Sequence, residues 1–261
     1  MFDSGFGGLT VARAVIDLLP DESLVYMGDT GRYPYGPRPL DQVAEFAHQI
    51  TAELVERRNV KMVVVACNTA AAAALLSLQE TFDVPVVGVI EPGVRALVQT
   101  SETGRVGVIG TVGSVGSGAY QAAVALESPS SELTAVACPG FVEFVERGEF
   151  YTEQVHVLAQ ALLAPAQEAK VDALLLGCTH YPYLARTISD VMGRDVVLVS
   201  SADETAFEVR RLLIDRGMQR SPSAGPATQS FVTTGDLDWF EELGRRLLGP
   251  ELARAERHEW G

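Results

Sequence analysis

The chain has 261 residues, of which 47% are hydrophobic and 21% are charged, a composition typical of a compact globular protein and not of a disordered one. Acidic residues outnumber basic ones by 34 to 20, for a formal net charge of −14, so the surface as a whole repels nucleic acid. The sequence has neither an apolar run long enough to span a bilayer nor a signal peptide at its start. We therefore expect a soluble, cytoplasmic protein that binds neither nucleic acid nor membranes.

Apolar, strand-like runs alternate with helical patterns along the chain. In chain order, the predicted strands are SLVYMG (23–28), KMVVVAC (61–67), VPVVGV (84–89), RVGVIG (105–110), LTAVAC (133–138), DALLLGC (172–178) and DVVLVS (195–200), and a last strand-helix pattern covers 231–248. Between them, segments such as 41–58 carry apolar side chains at the spacing of an amphipathic helix. Near-continuous Val and Leu strands separated by helices indicate parallel sheets with helices on both faces. The predicted fold class is α/β.

The predicted strands repeat in order, as in two copies of one set of βα units. Aligning VVVACNT (63–69) with LLLGCTH (174–180) superimposes their cysteines, and FDSGFGG (2–8) then matches VIGTVGS (108–114). Two similar halves predict two pseudo-symmetric domains, each a parallel sheet covered by helices, that face each other across a cleft. Ligands commonly bind in such a cleft, at the carboxyl ends of the parallel strands.

The domain boundaries follow from this repeat. We place residues 1–91 together with 201–261 in the first domain, and residues 92–200 in the second. The second copy has a full strand before its first turn, whereas only Met1 and Phe2 precede the corresponding turn in the first copy. Either the start of the sequence lies several residues too late or the chain lacks most of this strand, and we favour a misplaced start.

Cysteine is rare in this chain and occurs only at Cys67, Cys138 and Cys178. So sparse and odd a set argues against a disulfide framework, because disulfide scaffolds are small and dense in cysteine. Cys67 and Cys178 lie at matching strand ends, so each half presents one thiol to the shared cleft. A thiol titrates near ~8.5 and therefore suits both the abstraction and the donation of a proton. Two opposed thiols could invert a stereocentre, one removing a proton while the other delivers one to the opposite face.

Five ordered blocks carry a family resemblance. The blocks FDSGFGGLTV (2–11), GDTGRYPYG (28–36), ACNTA (66–70), CPGFVEFVERG (138–148) and GCTHYP (177–182) closely resemble the motifs of bacterial glutamate racemases, which are members of the cofactor-independent aspartate/glutamate racemase superfamily. The match keeps the same order across nearly the whole chain. The resemblance implies an enzyme that interconverts L- and D-glutamate and supplies D-glutamate to peptidoglycan.

The resemblance also implies roles for individual residues. Cys178 corresponds to the cysteine that removes the proton of L-glutamate, and Cys67 to the cysteine that removes the proton of D-glutamate. The family's substrate contacts fall on Asp3, Ser4, Pro34, Tyr35, Gly36, Asn68, Thr69, Thr111, Thr179 and His180, and a supporting glutamate falls on Glu146. Family members use neither pyridoxal phosphate nor a metal, and dimers are common among them, so we expect no cofactor and a homodimer.

The residue types agree with this chemistry. Glutamate brings two carboxylates and an ammonium, and the hydroxyl and amide side chains among the implied contacts could bind them. Asp3 and His180 could orient or tune the thiols. Cys138 fits a small buried apolar residue and is interpreted as structural. Two departures from the family pattern are Ser114 in place of a threonine, which keeps the hydroxyl, and Glu143 at a position that is often proline.

Three other interpretations remain at this point. A related racemase or decarboxylase acting on aspartate, hydantoins or arylmalonates would share the fold, although loss of one cysteine would be typical of the decarboxylase. A thiol redox or zinc protein could use Cys67, Cys178 and His180, but the chain has no CxxC pair. A non-catalytic binding module would hold an amino acid without exchanging its α-proton.

Overall fold

The computed structural model describes residues 1–260 and contains two parallel β-sheets. The first sheet has six strands in the order β10-β9-β2-β1-β3-β4. Its strands are β1 (Phe2–Asp3), β2 (Leu24–Gly28), β3 (Val63–Val65), β4 (Val86–Gly88), β9 (Gln229–Thr233) and β10 (Glu256–Arg257). The second sheet has the order β6-β5-β7-β8. Its strands are β5 (Arg105–Gly110), β6 (Glu132–Ala137), β7 (Ala173–Gly177) and β8 (Val197–Ser200).

Helices connect these strands and cover the sheets. They are α1 (Leu9–Leu18), α2 (Leu40–Ala52), α3 (Asn68–Thr81), α4 (Ile90–Thr100), α5 (Val112–Gly116), α6 (Ala119–Glu127), α7 (Phe141–Glu146), α8 (Glu153–Glu168), α9 (Ala185–Met192), α10 (Ser201–Asp215) and α11 (Leu237–Leu248). Two short 3₁₀ turns cover Tyr181–Leu184 and Pro222–Ala224, and a π-helical turn, Glu53–Arg57, extends α2. Within residues 1–260, no helix has the length and apolar character needed to cross a membrane.

The strand order confirms the internal repeat. The series β2-β1-β3-β4 of the first sheet and β6-β5-β7-β8 of the second are the same arrangement of consecutive strands. Every pair in both sheets is parallel. Because βα connections bring the carboxyl ends of parallel strands to one edge, each sheet presents its loops to the other along that edge. The predicted α/β class with two pseudo-symmetric halves is therefore correct.

The ladder register corrects one detail of the sequence alignment. Phe2 pairs with Val65, and Ile109 pairs with Leu176. With Cys67 superimposed on Cys178, as the sequence predicts, this register sets Phe2 on Ile109 and not on Val108. The predicted match of the first strands was wrong by one residue, because sequence similarity in short apolar strands does not report hydrogen-bond register.

The apolar pattern of each element explains its position. The strands β3 and β7 are buried along their full length, as expected for central strands with helices on both faces. The predicted helix 41–58 forms as α2 and its π-helical extension, and its buried apolar side chains include Val43, Ala47, Ile50 and Leu54. Their spacing puts them on one helix face.

A carboxylate fixes the junction between α4 and the second sheet. Asp172, just before β7, accepts hydrogen bonds from the Ser101 hydroxyl at 2.5 Å and from the backbone N–H groups of Glu102 and Thr103 at 2.9 and 2.7 Å. Desolvation raises the pKa of Asp172, but these hydrogen bonds outweigh it and lower the pKa from 3.8 to about 2. The ionised carboxylate thus stabilises the turn that leads into β5.

We predict that Asp172→Asn lowers the free energy of unfolding by about 1–2 kcal/mol at neutral pH, because the amide cannot replace both acceptor oxygens. Since the folded-state pKa lies below the ordinary value of 3.8, the wild-type advantage is complete above that pH and is lost as the pH falls towards 2. Urea unfolding at several pH values measures both effects. Asp215→Asn, in an exposed helical ion pair with Arg211, is the control and should change stability little. Equal midpoints for wild type and Asp172→Asn at neutral pH would contradict the prediction.

Candidate active site

A cavity of about 90 Å³ lies between the two sheets, at the carboxyl ends of their strands. The loops after β1, β2, β3, β5, β6 and β7 all reach it. The cavity is lined by Ser4, Tyr33, Pro34, Tyr35, Gly36, Pro37, Cys67, Asn68, Thr69, Thr111, Val112, Cys138, Pro139, Gly140, Val142, Glu143, Cys178, Thr179, His180 and Tyr181. All the site residues predicted from the sequence are in this lining except Asp3 and Glu146, which contact lining residues from behind.

Cys67 follows β3 and is the N-cap residue of α3, where its Sγ accepts a hydrogen bond from the Ala70 backbone N–H at 3.5 Å. Its thiol also lies 3.8 Å from Ser4 Oγ, to which it donates. Burial raises the pKa of Cys67 to about 12, and the charge of Asp3 adds to this effect. Cys67 is therefore a neutral thiol at neutral pH, which is the protonation state of a general acid.

Cys178 follows β7 at the equivalent position of the second half, and its partner is an imidazole. Cys178 Sγ lies 3.8 Å from His180 Nδ1, and His180 Nε2 lies 3.3 Å from Glu146 Oε1. Burial lowers the pKa of His180, but the hydrogen bonds with Cys178 and Glu146 and the charges of Cys178 and Asp3 outweigh burial and raise that pKa from 6.5 to about 10. At neutral pH the ring is an imidazolium, which stabilises negative charge on the Cys178 sulfur.

Asp3 links the two halves beneath the cavity. It is completely buried, and burial raises the pKa of its carboxyl. Its Oδ1 accepts from the Gly5 backbone N–H at 2.8 Å, and its Oδ2 accepts from Thr179 Oγ1 at 3.2 Å. A Cβ at Gly7 would overlap Thr179 Oγ1 and His180 Nδ1. The glycine-rich turn after β1 therefore lets the first half approach the loop that carries Cys178.

Three hydroxyls from both halves form a cluster on another wall of the site. Thr69 Oγ1 lies 2.9 Å from Thr111 Oγ1 and 3.2 Å from Ser114 Oγ, and the last two oxygens are 2.8 Å apart. Thr69 and Ser114 are buried. Because hydroxyls donate and accept, such a cluster can reorient its protons towards a carboxylate.

The loop 34–36 contributes backbone and ring surface to the cavity. Tyr35 is buried, and its hydroxyl donates to the Asp29 carboxylate. The Gly36 carbonyl accepts a hydrogen bond from the Gly113 backbone N–H at 2.9 Å, which ties this loop of the first half to α5 of the second. The hydroxyl proton of Tyr35 is therefore already used within the protein.

Metal-ligand geometry is absent from the described part of the chain. Residues 1–260 contain no group of three or more His, Cys, Asp or Glu side chains that could hold a metal ion. Cys178 and His180 are adjacent, but Glu146 lies at the other ring nitrogen of the imidazole. These three groups therefore form a chain of contacts through the imidazole ring.

Comparison with known proteins identifies the family. A sequence model of the Asp/Glu/hydantoin racemase family matches residues 9–208. The glutamate racemase of Mycobacterium ulcerans (strain Agy99) is 54% identical over 252 residues, which cover 97% of this chain and 92% of that protein. This chain belongs to the glutamate racemases of that family. The resemblance of the five sequence blocks is thus confirmed.

Solved structures of glutamate racemases share the complete fold. Isoform RacE1 from Bacillus anthracis superposes with a TM-score of 0.92 at 39% identity, covering 100% of this chain and 96% of that one. The glutamate racemase from Francisella tularensis subsp. tularensis SCHU S4, solved in complex with D-glutamate, gives a TM-score of 0.91 at 31% identity, with 99% and 96% covered. Both agree with the two-sheet architecture of this family member.

Several lining residues were not predicted from the sequence to belong to the site. Tyr33 and Glu143 line the cavity, with Glu143 exposed to solvent, and the Tyr33 hydroxyl is buried without a hydrogen-bond partner among residues 1–260. Cys138, interpreted as structural, is buried in the same wall, and burial raises its pKa to about 12. Neighbouring aromatic and acidic residues of this kind are common in turns and helices, so their sequence pattern carries no signal of the cavity.

We predict that Glu146→Gln lowers the pKa of His180 by about one pH unit or more, because it replaces the carboxylate at Nε2 by a neutral amide. The stabilising contribution of a protonated His180 is present below the ordinary pKa of 6.5 and is lost as the pH rises through the folded-state value of about 10. The substitution should therefore move this loss to lower pH. NMR titration of the imidazole measures the pKa, with Glu149→Gln, in a partly exposed pair with Arg147, as the control. An unchanged His180 titration in Glu146→Gln would contradict the prediction.

Proposed function

We propose that this protein interconverts L- and D-glutamate through proton transfer at Cα by two cysteines, Cys67 and Cys178. The observation that carries the proposal is that these two thiols, related by the internal repeat, both line one cavity between the halves. Membership of the glutamate racemases supports the choice of substrate, as does the D-glutamate complex of the Francisella tularensis protein. Opposed acid and base groups meet the requirement of inversion, since the returning proton must reach the opposite face of the carbanion.

The surroundings of the two sulfurs favour L-glutamate as the first substrate, because the His180 imidazolium lies beside Cys178 whereas the Ser4 hydroxyl lies beside Cys67. The sulfur of Cys178, beside the His180 imidazolium, acts as the base that removes the α-proton of L-glutamate. The thiol of Cys67, whose pKa is raised, delivers a proton to the opposite face. One S–H bond forms at Cys178 as one breaks at Cys67, so the cycle ends with the protons exchanged. D-Glutamate reacts by the reverse steps.

The cavity wall supplies donors for the two carboxylates of glutamate. Helix α3 begins at Asn68, so the free N–H groups of its first turn face the end of β3, where an anion is stabilised. The hydroxyl of Ser4 and the cluster of Thr69 and Thr111 add side-chain donors, whereas Thr179, which lines the same wall, already donates its hydroxyl proton to Asp3. We assign Pro34, Tyr35 and Gly36 to the wall that positions the substrate between the two thiols.

Carbanion stabilisation falls on the same groups. A carbanion next to a carboxylate spreads its charge onto the carboxylate oxygens, and fixed donors in a water-poor site stabilise that charge as it develops. Asp3 holds Thr179 from behind, and Glu146 holds His180. These two carboxylates therefore act on position and charge through the residues that they hold.

The domain division remains that proposed from the sequence, 1–91 with 201–261 and 92–200. It is supported by the sheet membership of the strands, since β1 to β4 share a sheet with β9 and β10, whereas β5 to β8 form the other. Helix α10 packs on both α1 and α4, so the return to the first half occurs through that helix.

Four broader features are proposed from family membership. The enzyme works without pyridoxal phosphate or a metal, it forms a homodimer, it acts in the cytoplasm, and its D-glutamate is used in peptidoglycan. Metal analysis together with sedimentation measures the first two properties on the purified protein.

The test of the reaction is L-glutamate incubated with the protein in D₂O, followed by circular dichroism and mass analysis. We expect the optical signal to decay as deuterium enters Cα. Cys67→Ala and Cys178→Ala should each slow this decay by roughly 10²–10⁴-fold or more, because each removes the acid or the base of one face. Any residual exchange should proceed with retention, of L-glutamate in Cys67→Ala and of D-glutamate in Cys178→Ala.

Cys138→Ala is the matched control, since this third buried cysteine should not be needed for exchange. Racemisation at the wild-type rate in either catalytic variant would refute the two-thiol mechanism. Binding of glutamate without exchange in the wild type would indicate a binding module, and exchange of aspartate alone would indicate a related racemase.

A further inference from the structure

A buried phenol connects the two cysteine-bearing segments. Tyr120, from α6 of the second half, is completely buried. Its hydroxyl donates to the Gly177 carbonyl at 3.0 Å and accepts from Asn68 Nδ2 at 2.8 Å. Asn68 directly follows Cys67, and Gly177 directly precedes Cys178. One hydroxyl therefore joins the residues next to both thiols.

The direction of these hydrogen bonds is fixed by the groups themselves. Burial raises the pKa of Tyr120, so its phenol keeps its single proton at neutral pH. A carbonyl can only accept, so that proton goes to Gly177, and the phenol oxygen must then accept from the amide. The Asn68 amide is thereby held with its NH₂ group on Tyr120. Its Oδ1, which is buried, has no hydrogen-bond partner among residues 1–260.

An unpartnered acceptor in the wall of a cavity indicates that the ligand must donate a hydrogen bond at that point. Asn68 lines the cavity between the two cysteines, and a buried carbonyl oxygen left without a donor is destabilising. Both carboxylates of glutamate are acceptors at neutral pH, so the α-ammonium is its one donor group. On the proposed racemase function, only the ammonium matches Oδ1.

We propose that Tyr120 is a positioning residue that orients the Asn68 amide, so that Asn68 Oδ1 accepts a hydrogen bond from the α-ammonium of either glutamate enantiomer. The packing around Gly177 supports a specific contact. A Cβ at this position would lie 2.6 Å from the Tyr120 hydroxyl oxygen and 2.7 Å from the Ile109 carbonyl oxygen. Only glycine leaves room for the phenol at the strand end.

The test is Tyr120→Phe, which removes the hydroxyl and keeps the ring. The freed amide can then rotate, so we expect KM to rise about tenfold for both L- and D-glutamate, the effect of one lost hydrogen bond. Glutarate has both carboxylates but no ammonium, so its inhibition constant should stay within about twofold of wild type. If Tyr120 had a purely structural role, Tyr120→Phe would weaken the binding of glutamate and of glutarate together.

A second substitution keeps the proposal testable whether or not Tyr120→Phe folds. Asn68→Ala removes the acceptor and leaves the hydrogen bond between Tyr120 and Gly177 in place. It should therefore raise the KM for glutamate without weakening the binding of glutarate. In the double variant, Tyr120→Phe should add no further rise in KM. Thr187→Val, which removes another buried hydroxyl bonded to a backbone carbonyl, is the control and should leave both constants unchanged.

The outcomes separate this inference from the reaction itself. A wild-type protein that does not racemise glutamate contradicts the proposed function. A wild-type protein that racemises glutamate, with an unchanged KM in Tyr120→Phe, overturns the role of Tyr120. If glutamate and glutarate binding weaken equally in Tyr120→Phe or in Asn68→Ala, the assignment of Asn68 Oδ1 to the ammonium is overturned.

Discussion

The rest of the site depends on one buried cation, the imidazolium of His180. A charge so far from solvent is stable only when partners surround it, and here they are the Cys178 sulfur on one ring nitrogen and Glu146 on the other. Asp3 adds a further negative charge from the first half. These partners come from separate strands and helices, so the charge balance exists only when both halves are correctly assembled. Folding and the protonation state of the site are thus coupled through a single ring.

The two halves share a fold, but their cysteines have different neighbours. The difference arises at equivalent positions of the repeat. With Cys67 taken as the equivalent of Cys178 in the internal repeat, Thr69 occupies the place of His180. In the first half this position carries a hydroxyl in a cluster with Thr111, and in the second half it carries the imidazolium. A single position of the repeat therefore accounts for much of the electrostatic contrast between a neutral thiol and a sulfur that faces a cation.

Sequence reasoning located the strands and both thiols for the same physical reason. Long Val and Leu runs such as 61–67 and 172–178 must be buried on both faces, and residues that follow such strands meet at one sheet edge. Tyr120 could not be found in this way, because it lies in an ordinary apolar helix pattern and acquires its meaning only from contacts with Asn68 and Gly177, about 50 residues away in either direction. The one-residue error in matching the first strands has a similar cause, since register is set by pairing across a sheet.

The contrast between Cys67 and Cys178 is limited in what it can do to the proposed reaction. L- and D-glutamate are mirror images with equal free energies in water, so kcat/KM must be the same in both directions whatever the protein does to its thiols. Placing one sulfur beside an imidazolium and the other beside the Ser4 hydroxyl and the Ala70 backbone N–H can change how each kcat/KM divides between kcat and KM, but it cannot favour one product. The asymmetry built around His180 can therefore act only on how each kcat/KM of the proposed reaction divides between its two factors, because the imidazolium lies beside one sulfur and the Ser4 hydroxyl beside the other.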